Sequence, residues 1–255
     1  MKKKVSVLLV VLLLFSGCCM RETSKSNKIT VDLPALNLNN QQLYYYTMGN
    51  FGSGTETDSC AIFLESSNEL VSEITMVVKT KEDIYQLVLG KGEKKPFNHG
   101  NLFACDFDCD GIDEIVFFAE KSGNGYSIAQ VFKVTEKDIV LIEDLNKRTD
   151  IFSKFENQKS LLLFNKEISY ENSIDISTEF PDEFFDSKGM YVGDLSVNTL
   201  PIDSLEIVDS EPKLIYNCPI KLTNYIGTIE CGLVWSQESS GFVIDYLVMR
   251  DKLAG

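Results

Sequence analysis

The stretch "DFDCDGIDEIVFF", residues 106–118, places Asp106, Asp108, Asp110, Asp113 and Glu114 around Gly111 and then turns into a run of apolar, strand-forming residues. So many like charges repel one another. Folding this loop requires that water screen the carboxylates at the surface or that a cation sit among them. An EF-hand beginning at Asp106 would need a bidentate glutamate at its twelfth place, which holds Phe117, and a helix on each flank. The flanks, "NLFAC" before and "IVFF" after, are strand-like. Both grounds exclude an EF-hand. What remains is a shorter loop between two strands, offering the carboxylates of Asp106, Asp108, Asp110 and Glu114 and the backbone carbonyl of Ile112 at alternating positions. Gly111 lets the backbone reverse without a Cβ clash.

Outward from the loop the dominant signal is β. Runs such as "LYYYTM", "CAIFLE", "EITMVVK", "IYQLVLG", "EIVFFAE", "IAQVFKV", "IVLIEDL", "SLLLFN", "KLIYNCPI", "GLVWS" and "FVIDYLVM" recur, separated by Gly, Asn, Asp and Ser. Helical periodicity is confined to a turn or two around Pro181 to Phe185. No low-complexity linker divides the chain, so residues 30–255 read as one all-β domain. In "IVFFA" both alternating faces are apolar, Ile115 and Phe117 on one and Val116 and Phe118 on the other. A strand of this kind is covered on both sides, which suits stacked blades better than a sandwich with one wet face.

The segment "CDFDCDGIDEIVFF" resembles the calcium-binding loop of integrin-α-type propeller repeats, the FG-GAP or VCBS class, in which Asp-x-Asp/Asn-x-Asp-Gly-x-x-Asp precedes an apolar strand. The resemblance covers about fourteen residues and implies calcium as the cofactor. Asp106, Asp108, Asp110 and Glu114 would be its side-chain ligands and Ile112 its carbonyl ligand. Glu114 stands where the family has Asp, and Asp113 is expected to point outward. Without metal the loop should be forced open by repulsion, so the ion's role would be structural.

A repeat should recur. Residues 49–65, "GNFGSGTETDSCAIFLE", lie over "CDFDCDGIDEIVFFAE" with Asn50 at the place of Asp106, Phe51 at that of Phe107, and Gly52 and Gly54 at the remaining ligand places. This copy keeps the turn and loses the metal. "YVGDLSVN", residues 191–198, is a weaker echo. At roughly 45–55 residues per repeat the chain holds about four or five blades of a small β-propeller-like array. A β-sandwich with one calcium loop is the alternative.

The N-terminus sets the compartment. Lys2, Lys3 and Lys4 precede an apolar stretch, Val5 to Phe15, too short to span a bilayer as a stable helix. The sequence Phe15-Ser16-Gly17-Cys18 resembles the lipobox of bacterial lipoproteins, with Phe15 in place of the usual leucine. It implies that residues 1–17 are a signal peptide, that Cys18 carries the lipid, and that residues 18–29 are a flexible tether. The mature chain would then lie on the extracytoplasmic face of the cell membrane. Its net charge of −17, against −14 for the whole sequence, argues against nucleic acid as a partner.

Five further cysteines, Cys60, Cys105, Cys109, Cys218 and Cys231, are an odd number. Cys218 and Cys231 fall on two strand-like runs, and both a disulfide across a hairpin and two separately buried thiols stay open. Zinc is disfavoured: there is no Cys-x-x-Cys, and His99 is the sole histidine. His99, in "PFNHGN", reads as a surface loop residue. No Gly-x-Ser-x-Gly elbow or phosphate-cradling glycine loop is present. Trp235 and Tyr44 to Tyr46 fit a core better than a ligand surface. These features favour a surface-anchored, calcium-stabilised module that binds an extracellular protein or glycan without catalysis. The alternative is a secreted glycosidase-like hydrolase using acids such as those of "EFPDEFFD", residues 179–186.

Overall fold

The computed structural model describes residues 41–250 except 53, 55–57, 68–69, 94–96, 122–126, 149, 158–159, 176–185, 189–197, 200–201, 209–211 and 222–224. Cys18, the signal and tether segments, most of "EFPDEFFD", nearly all of "YVGDLSVN" and the helical candidate at 181–185 lie outside the described residues. Those described belong to a single compact unit of the chain. They form four antiparallel sheets.

Sheet I is the meander β1 (Gln41–Gly49), β2 (Asp58–Ser67), β3 (Leu70–Lys79) and β4 (Ile84–Glu93). Sheet II repeats this order with β5 (Phe97–Cys105), β6 (Glu114–Lys121), β7 (Ser127–Val134) and β8 (Ile139–Asp144). Sheet III joins β9 (Phe152–Asn157), β10 (Ser160–Asn165) and β11 (Tyr170–Asp175). In sheet IV, β12 (Asn198–Thr199) and β13 (Ser204–Val208) both pair with β14 (Lys213–Lys221), which continues to β15 (Tyr225–Ser236) and β16 (Gly241–Arg250). The expectation of an all-β protein holds. No sheet closes into a barrel and the set does not close as a propeller.

The apolar runs became strands because β-branched and aromatic side chains fit a pleated surface buried on at least one side. Strand β6 is covered on both. Ile115, Phe117 and Ala119 pack with Ile62, Leu64 and Met76 of sheet I and Phe51 of the β1–β2 loop, and Val116 and Phe118 pack with residues of sheets III and IV. Ile115, Val116 and Phe117 are wholly buried. The Phe117 ring meets Phe97 edge-on at 5.8 Å and Tyr45 at 5.9 Å. Tyr44 and Tyr45 pack half-buried against this core, and Trp235, also half-buried, meets Phe242 edge-on at 5.3 Å.

Sheets I and II are alike beyond their order. The β3–β4 turn is "TKED", residues 80–83, and the β7–β8 turn is "TEKD", residues 135–138. In each the threonine N–H donates to the aspartate carbonyl, at 2.9 and 2.8 Å, and the aspartate N–H donates to the threonine Oγ1, at 3.0 and 3.1 Å. Each turn therefore satisfies its own polar groups.

At the junction of sheets II, III and IV, Arg148 Nε donates to Asp150 Oδ2 at 2.8 Å and its Nη1 to the carbonyl of Phe242 at 3.1 Å. Tyr216 donates its hydroxyl to Asp150, and Asn165 Nδ2 donates to the Asp150 carbonyl at 2.7 Å. The disulfide considered for Cys218 and Cys231 is not formed. The register sets Cys218 opposite Ile229 and Cys231 opposite Tyr216, and both are buried free thiols. Burial pushes each up to about 12, which makes them inert.

Phe117→Ala should lower unfolding stability in urea by about 3–5 kcal/mol, because a wholly buried ring between two aromatic neighbours leaves a cavity that strands of fixed register cannot close. A loss below about 1 kcal/mol would contradict this packing.

Candidate metal centre

The acidic stretch is the connection between β5 and β6. Glu114 opens β6, and its side chain is fully buried. Oxygens of Asp106, Asp108 and Glu114 lie within 4.8 Å of one another. The loop is held by its own carboxylates. Asp106 accepts the N–H of Asp110 at 3.1 Å and that of Gly111 at 3.0 Å, Asp108 accepts Asp110 N–H at 3.1 Å, and Asp110 accepts Ile112 N–H at 2.9 Å. Gly111 sits at φ 87°, in the left-handed region where a Cβ would be strained, as its place in the sequence predicts. Cys109 adopts φ 58° without that freedom and is exposed.

Lys133, on β7, reaches into the cluster. Its Nζ pairs with Asp108, lies 2.8 Å from Asp110 Oδ2, and lies 2.9 Å from Glu114 Oε1. Burial works to lower the lysine pKa, but its bonds to Asp108, Asp110 and Glu114 outweigh burial and hold it above the ordinary value. Burial raises Glu114, with Lys133 and the Phe107 N–H opposing. Asp110 is lowered: burial opposes this, and the bonds from Lys133 and Ile112 prevail. The loop is therefore closed around an ammonium. That ammonium comes from a residue the loop sequence does not contain.

The donor set nonetheless suits a hard cation. Hard divalent ions take carboxylate and carbonyl oxygens, and those of Asp106, Asp108 and Glu114 already converge. Glu114 Oε1 is buried with the Lys133 ammonium 2.9 Å away as its charge partner. Lys133, four carboxylates and no second basic group at this cluster among the described residues leave a negative excess that a dication would reduce. The structure brings Asp106, Asp108, Asp110 and Glu114 into one loop, with Ile112 in the same turn.

The neighbouring β1–β2 loop repeats two of these hydrogen bonds among its described residues. Phe107 N–H donates to Glu114 Oε2 at 2.8 Å, and Phe51 N–H donates to Asp58 Oδ2 at 2.9 Å. Asp106 Oδ1 accepts Asp110 N–H at 3.1 Å, and Asn50 Oδ1 accepts Gly54 N–H at 3.1 Å. The residue pairing read from the sequence is thus a pairing in space. Asp113, expected to point outward, instead clamps the two loops together. Its Oδ2 accepts Asn50 N–H at 2.7 Å and its N–H donates to the Asn50 carbonyl at 2.7 Å. Burial raises its pKa against that hydrogen bond. Only glycine fits at position 49, because a Cβ there would lie 2.6 Å from Asp113 Oδ2 and 2.7 Å from Ala104 Cβ.

Elsewhere, His99 is exposed as expected but lies in strand β5 rather than in a loop. The residue that loop reading missed, Lys133, had a signal. It is the sole basic residue of "SIAQVFKV" and shares a strand face with Ala129 and Val131, both wholly buried. An inward-facing lysine calls for carboxylate partners.

Asp113→Ala should lower stability by about 1–3 kcal/mol in urea unfolding by leaving the Asn50 N–H without its acceptor, and Asp113→Asn, which keeps an acceptor oxygen, should lose less. Equal losses would remove the clamp. In comparison with protein-family models and with curated proteins, the chain matches none.

Proposed function

We propose that this protein is a lipid-anchored module of the extracytoplasmic cell surface that binds a protein or glycan partner without catalysis, built from blade-like β repeats of the integrin-α type and stabilised by calcium at the β5–β6 loop. One observation carries this reading: the inward convergence of Asp106, Asp108 and Glu114 oxygens at the start of a strand buried on both faces. In it Asp106, Asp108, Asp110 and Glu114 supply carboxylates and Ile112 a carbonyl. The ion supplies charge neutralisation and nothing reactive, and the loop it fixes also holds the β1–β2 loop through Asp113. The repeated meanders of sheets I and II, with their matched turns and matched loops, support the blade reading. The basic, apolar and Cys18-ended N-terminus supports the anchor.

Calcium at about a hundred times its Kd should stabilise the chelator-treated domain by about 2.7 kcal/mol, seen as a rise in Tm, and Asp108→Ala should lose both calorimetric binding and that rise. No binding by the parent would refute the metal reading. Cys18→Ala should abolish palmitate incorporation and release the full chain from the membrane fraction, and continued labelling would refute the anchor. With the domain on a glycan array or against surface extracts, capture retained in calcium and weakened in chelator is the expected outcome.

A further inference from the structure

We propose that Lys133 is a built-in competitor for the calcium of the β5–β6 loop, so that the loop has two closed forms, one latched by the lysine ammonium and one closed on metal with Lys133 withdrawn. This rests on the calcium reading above and adds to it the residue that sets the metal's affinity.

Three observations carry it. The first is position. Nζ pairs with Asp108 and lies 2.8 Å from Asp110 Oδ2 and 2.9 Å from Glu114 Oε1. Calcium would need those oxygens at about 2.3–2.6 Å. Two cations cannot share that space, so the metal enters only as the ammonium leaves.

The second is the buried oxygen. Glu114 is fully buried, so its charge must be met inside the protein, and the ammonium 2.9 Å from its Oε1 meets it. A dication at the same oxygens would meet the same need. Either cation can therefore close the loop, which is the condition for exchange between them.

The third is the companion repeat inside the same chain. Lys133 stands two residues before the turn threonine Thr135, and Val78 stands two residues before the matching Thr80. Val78 is wholly buried. That repeat has Asn50, Gly52 and Gly54 in place of Asp106, Asp108 and Asp110 and keeps one acid, Asp58, at the place of Glu114, so it lacks both the three loop aspartates and the lysine. Among the described residues its loop keeps two of the same hydrogen bonds, Phe51 N–H to Asp58 and Gly54 N–H to Asn50. Lys133 accompanies the carboxylates and is not a requirement of the turn or of the strand.

A latch of this kind lowers apparent metal affinity by the fraction of molecules in which the ammonium is already withdrawn. It would place the response in the high-calcium range of an extracellular compartment and keep the loop folded when calcium is scarce.

The test is calcium titration calorimetry and thermal melting of the chelator-treated domain, comparing the parent with Lys133→Met and Lys133→Arg. Lys133→Met should bind calcium at least about tenfold more tightly, melt lower than the parent in chelator, and regain the parent's Tm in saturating calcium. Lys133→Arg, which keeps the charge, should stay close to the parent in affinity. Should Lys133→Met fail to fold in chelator, NMR of the parent's lysine side chains decides: a protected ammonium signal without calcium that is lost on titration supports the latch, and a signal unchanged by bound calcium overturns it. Equal calcium affinity in parent and Lys133→Met overturns the latch while leaving the calcium reading intact. No binding by either protein overturns both.

Discussion

A carboxylate taken wholly out of water must find a positive partner or give up its charge, and Glu114 is taken wholly out of water. It opens β6, the strand whose two faces build two different cores, so its neutralisation is a condition for seating that strand. One oxygen is satisfied by the Phe107 N–H and the other faces Lys133. The remaining acids of the loop serve the turn itself, accepting the N–H groups of Asp110, Gly111 and Ile112. Acids that first read as a metal cage are therefore also a backbone scaffold, and the two roles do not conflict, because each carboxylate oxygen has more than one lone pair.

The companion loop separates these roles. Asn50 accepts an N–H where Asp106 does, and Asp58 accepts the Phe51 N–H where Glu114 accepts that of Phe107. With the charges gone at three of the ligand places, Asn50, Gly52 and Gly54, these two hydrogen bonds remain. What the β5–β6 loop has in addition is a concentration of negative charge together with its own cation. Asp113 joins the two loops by a pair of hydrogen bonds to Asn50.

Much of the architecture was legible in the sequence because burial writes itself into alternation. The runs "EIVFFAE" and "IAQVFKV" became β6 and β7, and the doubly apolar faces of "IVFFA" announced a strand covered on both sides. The copy at Asn50 was legible for a similar reason, since a turn needs particular residues at fixed spacing. Strands β9, β11 and β13 were less visible. In β11, "YENSID", half-buried and exposed positions alternate with few apolar residues, so its place is decided by pairing with β10 rather than by its own composition. The lysine beside the acidic loop lay out of sight because it stands 19 positions along the chain from Glu114, and only strand pairing brings the two together. Asp113 was misread for the same reason: what it grips belongs to another hairpin.

Sheets I, II and III are simple meanders, and each pairs strands that are neighbours along the chain. Closing such a hairpin loses little chain entropy, so the ladders can assemble one after another without waiting for distant segments to meet. The self-contained "TKED" and "TEKD" turns make the outer hairpins of sheets I and II natural places for this to begin. Such a topology lets each ladder form from its own stretch of chain, and the packing of β1 against β5 then joins sheets that have no strand ladder between them.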